Sequence, residues 1–312
     1  MPLELAMMST AVHLRASSAG RVGQGTGFLM TVASSIADTP PYGYLVTAQH
    51  VIHDATTVAA QIPNPFADGE LYEPVPINNF KQPLEGIDLA IAPTDDLFGD
   101  DSRQAYAIPL EKHTLPPHKM PPLGGRIFYI GLFAPSPRMM ARSGTIAALE
   151  QTGLTPLMAT GHRSLVLTDF AVHIVDCRSY GGFSGAPCFL EMPVPSLTNE
   201  TEMWSRDYAI PSEFPSPLGR MTYLSVLCGM FIAHATDEKD EVRNAEGAVS
   251  RYGVGFILPS RLIRDGLMAP MFANERDRMD SERMKKIEQG IVSEGASSVT
   301  DVTGEVAGWK SG

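Results

Sequence analysis

Gly181-Gly182-Phe183-Ser184-Gly185-Ala186-Pro187 sets a serine inside a glycine-rich turn, which runs into the apolar stretch Cys188-Phe189-Leu190. Glycines before a serine let the backbone turn so that N–H groups face one point, where they can stabilise a developing oxyanion. A serine hydroxyl is a weak nucleophile until a neighbouring base takes its proton. Outward from that turn the chain supplies a base and a carboxylate. Leu45-Val46-Thr47-Ala48-Gln49-His50-Val51 ends an apolar strand and places a histidine just after it. Gly86-Ile87-Asp88-Leu89-Ala90-Ile91 opens another apolar run with an aspartate. Histidine suits proton transfer because its ordinary pKa lies near physiological pH. A buried carboxylate holds the imidazole in one tautomer and stabilises the imidazolium that forms. Each segment alone has an ordinary structural use as a cap or a turn. Together they stand in the order His, Asp, Ser, each at a strand edge.

Gly (28) and Pro (25) are scattered and punctuate many short apolar runs. That pattern predicts an all-β fold. Strands are expected at Ala11–Ala16, Thr26–Val32, Tyr44–Ala48, Thr57–Gln61 and Asp88–Ala92. A second set is expected at Arg126–Gly131, Met139–Leu149, Ser164–Thr168, Gly185–Leu190, Tyr223–Ile232 and Tyr252–Leu258. The Pro-rich stretch from Pro109 to Pro122 falls between the sets and predicts an extended linker. Two sets of about six short strands suggest two small barrels. The expected division is an N-terminal barrel over 10–108, a linker over 109–125 and a C-terminal barrel over 126–268. The Pro-, Glu- and Ser-rich segment 191–222 is expected as a solvated insertion or a gating loop. Beyond Ser260 a short helix is expected, with Leu262, Ile263 and Leu267 on one face. Mixed charges from Asn274 to Gln289 predict a solvated helix, and the rest of 269–312 a mobile tail.

On these motifs the chain resembles a trypsin-like serine peptidase of the chymotrypsin fold, nearest to the bacterial HtrA-like, disulfide-free branch. Gly25-Thr26-Gly27-Phe28 resembles the strand before that family's histidine segment. Thr47-Ala48-Gln49-His50-Val51 resembles its Thr-Ala-x-His-Val motif, and Asp88-Leu89-Ala90 its Asp-Leu-Ala motif. Ser143-Gly144-Thr145-Ile146 resembles a second-barrel strand, and Gly182-Phe183-Ser184-Gly185-Ala186-Pro187 resembles Gly-x-Ser-Gly-x-Pro. Gly253-Val254-Gly255-Phe256-Ile257-Leu258-Pro259-Ser260 resembles the closing strand and turn. The resemblance runs from about Val12 to Leu267 and implies two six-stranded β-barrels with the active site between them.

The same resemblance implies His50 as general base, Asp88 as its orienter and Ser184 as nucleophile, with oxyanion donors on the backbone of Gly182 and Ser184. Phe183 stands where zymogen-activated members carry an aspartate, so that activation switch is not expected. Ile232-Ala233-His234 is implied to line the cleft and pair with an extended peptide. Arg178 and Tyr180 stand in the wall before the serine, and Arg178 sits six positions ahead of it where no acidic residue is found. A preference for Lys or Arg side chains is therefore not expected. The implied activity is endopeptidase, with two alternatives: a silent module that binds extended peptides, or an esterase using the same triad.

Composition narrows the rest. The 312 residues carry 24 Lys plus Arg against 35 Asp plus Glu, a formal net charge of −11. Such a chain is a poor general binder of nucleic acid or anionic membrane surfaces, so the expected partner is a protein or peptide substrate. Cys177, Cys188 and Cys228 are too few and oddly spaced for a disulfide framework or a zinc site, and are expected as buried thiols. His53 is expected to be structural. No cofactor or metal is expected. No apolar run reaches the roughly 18 residues of a membrane span. No basic, then apolar, leader opens the sequence, so a cytoplasmic location is expected.

Overall fold

The structure, a computed structural model, describes residues 10–18, 21–62, 73–94, 106–133, 138–152, 170–194, 210–216, 219–235, 241–243 and 249–289. The expected strand Ser164–Thr168 and the expected mobile tail from 290 lie outside the described residues.

Two largely antiparallel sheets, one a closed barrel and one a half-barrel, match the expected chymotrypsin-like double barrel. The first holds β1 (Ala11–Ser18), β2 (Arg21–Val32), β3 (Tyr42–Thr47), β4 (Thr57–Gln61), β5 (Val75–Ile77) and β6 (Ala90–Pro93), in the order β5-β4-β1-β2-β3-β6. A short β7 (Ile108–Pro109) pairs in parallel with β2. This sheet is a half-barrel. The second holds β8 (Arg126–Phe133), β9 (Arg138–Gln151), β10 (Val172–Tyr180), β11 (Pro187–Val194), β12 (Ile210–Ser216), β13 (Gly219–Ala235), β14 (Glu241–Arg243) and β15 (Val249–Pro259). Its path β13-β11-β8-β9-β10-β15 closes through a β13–β15 pairing, giving a six-stranded barrel with β12 and β14 appended. Helix α1 (Gln49–Ile52) follows β3, and α2 (Ser260–Leu267) and α3 (Pro270–Glu288) follow β15.

Each sheet has its own interior. Val12, Leu14, Leu29, Leu45, Ala60 and Ile62 fill the first. Ile127, Tyr129, Ile146, Val175, Phe183 and Phe231 are among those filling the second. The Tyr129 ring stacks on Phe231 with centroids 5.1 Å apart and meets Phe183 edge-on at 5.3 Å. A third cluster joins the sheets, with Phe28, Val46, Leu89, Phe189, Met230, Ile232 and Phe272 among its members. The burial of β3 on both faces follows from its place between β2 and β6 and its nearly unbroken apolar run.

Several elements differ from the sequence expectation, each for a local reason. The strand β10 went unrecognised. Register shifts between Val172, Ile174 and Val175 mark an irregularity there, which breaks the period-two pattern. The segment 191–222 is not a featureless insertion among its described residues: 191–194 extend β11, and β12 forms a hairpin with β13 through Ser216↔Gly219. Pro211 and Pro215 sit in β12, the outermost strand, where a missing N–H is tolerated. The Pro-rich linker is laced to both sheets. Leu110 N–H donates to Thr31 O (2.9 Å) and Leu115 N–H to Leu227 O (2.8 Å).

The charged C-terminal helix is not simply solvated. Pro270 occupies its first turn, where a missing N–H costs nothing. Phe272, Arg276 and Asp280 then fall at helical spacing and are buried against the first sheet. Arg276 donates to Tyr44 Oη (3.0 Å) and to the Leu267 carbonyl (2.9 Å). The Asp280 carboxylate accepts from Ser34 Oγ (2.7 Å), from Ser35 N–H (3.0 Å) and Oγ (2.5 Å), and from Tyr42 Oη. Buried charges require such partners, and a charge census of the helix alone does not reveal them. No helix among the described residues is long and apolar enough to cross a membrane.

Candidate active site

Strands β3 and β6 are neighbours, with Thr47 opposite Ala90. His50 lies three residues past Thr47 and Asp88 two residues before Ala90, so the ladder delivers both to the same end of the sheet. There one carboxylate makes two bonds. His50 N–H donates to Asp88 Oδ1 at 2.9 Å, and the His50 ring meets Asp88 Oδ2 through Nδ1 at 2.7 Å. Asp88 is buried, while a third of the His50 side chain is exposed. An ionised carboxylate only accepts, so Nδ1 carries the proton and Nε2 is left with its lone pair. Partial burial works to lower the His50 pKa, but the charge and hydrogen bond of Asp88 outweigh it and raise it above the ordinary value. Behind Asp88, α2 approaches closely at Gly266. A Cβ there would lie 2.7 Å from Leu89 Cδ2 and 3.0 Å from Pro83 Cγ.

Ser184 sits in the turn between β10 and β11, half-buried. Gly182 (φ +101°) and Gly185 (φ +86°) adopt backbone conformations that side chains disfavour. At Gly185 a Cβ would also stand 1.9 Å from Thr26 O, so this position excludes every other residue. Phe183 turns inward and is fully buried against Tyr129. The Phe183 carbonyl accepts from Ala186 N–H at 2.9 Å. In a trans peptide the Ser184 N–H then points the opposite way. Among the described residues neither Gly182 N–H nor Ser184 N–H donates a hydrogen bond within the protein.

The two halves meet across Gly25 and Thr26 of β2. A Cβ on Gly25 would lie 2.5 Å from Val51, next to His50, and 3.3 Å from the Ser184 carbonyl. His50 and Ser184 thus flank one stretch of backbone. Ser184 Oγ donates to Ile232 O at 3.4 Å, and no hydrogen bond joins it to His50. Thr26 N–H donates to Ser184 O at 2.9 Å, and Thr26 Oγ1 to Gly182 O at 2.7 Å. In the sequence Thr26 stands out only as part of a strand. Its signal was a hydroxyl between two glycines, where the lack of side chains permits close approach.

The expected cleft residues are placed as follows. Ile232 lies at a register shift between Phe231 and Ala233, which leaves its carbonyl available to Ser184. Ile232, Ala233 and His234 are buried, and the His234 ring lies 6.4 Å from that of Phe231. Arg178 and Tyr180 pair with Tyr252 and Ser250 of β15. Burial pushes the Cys177 thiol up to about 11, the Cys228 thiol up to about 12 and the Cys188 thiol well up, so none is a thiolate at neutral pH. Among the described residues no group of three His, Cys, Asp or Glu is placed to hold a metal ion.

Among solved structures, the chain is similar to the Rv3671c protease from M. tuberculosis in its active form, at 14% identity and a TM-score of 0.49, covering 86% of this chain and 83% of that one. It is similar to the inactive form of that protease at 15% identity and a TM-score of 0.44, covering 84% and 89%. It is also similar to the apo MamO protease domain from Magnetospirillum magneticum at 13% identity and a TM-score of 0.43, covering 84% and 98%. No curated protein matches the sequence. The family model described as trypsin-like peptidase domain matches residues 25–192, more than half of the 312. That span carries His50, Asp88 and Ser184, and the chain belongs to the trypsin-like peptidase domain family.

Proposed function

We propose that the protein is a serine endopeptidase acting through Ser184, His50 and Asp88. The observation that carries this reading is the pair of hydrogen bonds that one buried carboxylate accepts from His50, through its backbone N–H and Nδ1, beside the Ser184 turn. Asp88 holds the ring with Nε2 free to accept. Ser184 Oγ leaves the Ile232 carbonyl, gives its proton to His50 Nε2 and attacks the scissile carbonyl carbon. The oxygen of that carbonyl becomes an oxyanion facing the N–H groups of Gly182 and Ser184. The His50 proton passes to the leaving amine as the peptide bond breaks. Water gives a proton to His50 as it attacks the acyl carbon, and His50 returns that proton to Ser184 Oγ as the ester bond breaks and the acid leaves. Neither a metal nor an organic cofactor takes part.

The proposed substrate is an extended protein or peptide segment paired along Ile232-Ala233-His234, with Arg178 and Tyr180 in the pocket wall. The division at residues 109–125 then separates a unit bearing the base from one bearing the nucleophile.

One observation favours a second reading, a silent module that binds extended peptides. Ser184 Oγ is bonded to Ile232 O and not to His50. Labelling with a fluorophosphonate probe separates the two. Folded wild type should label and Ser184→Ala should not. Folded wild type that stays unlabelled would remove the endopeptidase reading and leave the binding module.

A further inference from the structure

Thr26 is fully buried on β2 of the first sheet, yet most of its bonds leave that sheet. Its N–H donates to the Ser184 carbonyl at 2.9 Å and its Oγ1 to the Gly182 carbonyl at 2.7 Å. The same Oγ1 accepts from the Leu132 N–H of β8 at 2.9 Å. Its own carbonyl accepts from Thr47 Oγ1 at 2.7 Å. The Leu132 N–H fills an acceptor site of the hydroxyl oxygen and leaves the hydroxyl proton for Gly182 O.

We propose that the Thr26 hydroxyl is the positioning group of the oxyanion loop, acting from the opposite sheet. This deepens the endopeptidase reading and rests on it. The two residues whose N–H groups are the proposed oxyanion donors, Gly182 and Ser184, are the two whose carbonyls Thr26 holds. Gly182, at φ +101°, has no side chain to keep its peptide planes in place. An outside bond must do so, and the Thr26 hydroxyl makes it. Donors aimed in advance need not reorganise when charge develops, which is what makes such a loop effective. Thr26 touches no reacting atom. Valine at this position fills the same space but strands the Gly182 carbonyl and the Leu132 N–H in a buried setting. Serine keeps both bonds.

The test compares Thr26→Val, Thr26→Ala and Thr26→Ser with wild type. The fluorophosphonate labelling rate is normalised to the folded fraction from circular dichroism. The backbone amide resonances of Gly182 and Ser184 are followed by NMR. Thr26→Val is expected to label about 100-fold more slowly, the scale of losing one oxyanion donor, with both resonances displaced. Thr26→Ser is expected to keep the rate within about threefold and both resonances in place, a rescue that a purely space-filling role does not give. Folded Thr26→Val with the wild-type rate and unmoved resonances overturns the proposal. Should Thr26→Val fail to fold, Thr26→Ala takes its place in the same comparison. If neither folds while Thr26→Ser does, the hydroxyl serves folding and the proposal falls. Wild type that does not label at all defeats the endopeptidase reading. The resonances then decide alone: displaced in Thr26→Val and kept in Thr26→Ser supports the positioning role, and unmoved in both overturns it.

Discussion

In the second sheet β13 pairs with β15 and the ladder returns on itself; in the first, the path ends at β5 on one side and β6 on the other. An open path leaves apolar faces and backbone groups to be covered by something else. In the first sheet the outer edge of β6 is met nearby, where Lys81 and Ile91 exchange N–H···O bonds at 2.8 and 3.0 Å, while the apolar cover comes from far along the chain. Phe272 is fully buried against it, and Tyr44 meets the Phe272 ring edge-on at 5.6 Å. Lys81, beside the Asp88 segment, lies 5.4 Å over the same ring and 3.6 Å from Glu275. Ser184 thus sits beside the closed barrel, while the His50–Asp88 pair sits on the open sheet that α3 covers. A closed barrel stands on its own ladder, whereas an open one depends on its buttress.

Removing the buttress is the strongest way to break that contrast. Phe272→Ala should lower global stability by about 3–5 kcal/mol, the usual range for a buried phenylalanine. Hydrogen exchange should show β1 to β6 losing protection before the strands of the closed barrel. Equal loss in both sheets would mean that they unfold as one unit and that the contrast has no energetic meaning.

Acid tests the sheets in parallel, because each buries a histidine whose pKa is lowered to about 4. Burial, with a smaller contribution from the Arg15 charge, lowers His13 in the first sheet to about 4. Burial lowers His173 in the second to about 4, with Glu150 opposing and Arg261 assisting. Well above pH 6.5 these two histidines are neutral in both the folded and the unfolded chain and contribute no pH dependence. As pH falls from 6.5 to 4 the unfolded chain binds protons that the folded one refuses, so stability is lost. A shift of that size corresponds to about 3 kcal/mol per histidine. Urea midpoints should fall steeply across this window, and His13→Leu should remove the first sheet's share only.

The mildest probe is the polar end of the helix. Burial tends to raise the Asp280 pKa, but hydrogen bonds from Ser35, Tyr42 and Ser34 outweigh it and hold the carboxyl well below its usual range. Burial and the bond to Asp280 also push Tyr42 up to about 12. The carboxylate therefore adds stability above its unfolded pKa of about 3.9, lost as pH falls further. Asp280→Asn should cost about 1–3 kcal/mol at neutral pH and remove the dependence below pH 4. An unchanged acid profile in denaturant titrations would mean that Asp280 is not the group that ties helix to sheet.

What was legible in the sequence follows the same division. His50, Asp88 and Ser184 stand out as candidates in the sequence because each is tied to a local signal: a strand end, an apolar run opened by an acid, a glycine turn. Most of the strands were also visible as apolar runs. Asp280 and Arg276 were not legible, since their partners Ser34, Ser35, Tyr42 and Tyr44 lie more than 200 residues away. Thr26 escaped for the same reason, as its partner Gly182 is 156 positions distant. β10 escaped through a register irregularity and β12 through its prolines, both of which hide the period-two pattern.

The helix Pro270–Glu288 has one more consequence, in the order of synthesis. β1 to β6 leave the ribosome well before Phe272, Arg276 and Asp280, which complete their sheet. The serine turn around residue 184 emerges between the two. While the chain is being translated, the half that holds His50 and Asp88 waits unbraced. Chain order therefore puts His50, Asp88 and Ser184 all ahead of the residues that cover the sheet carrying two of them.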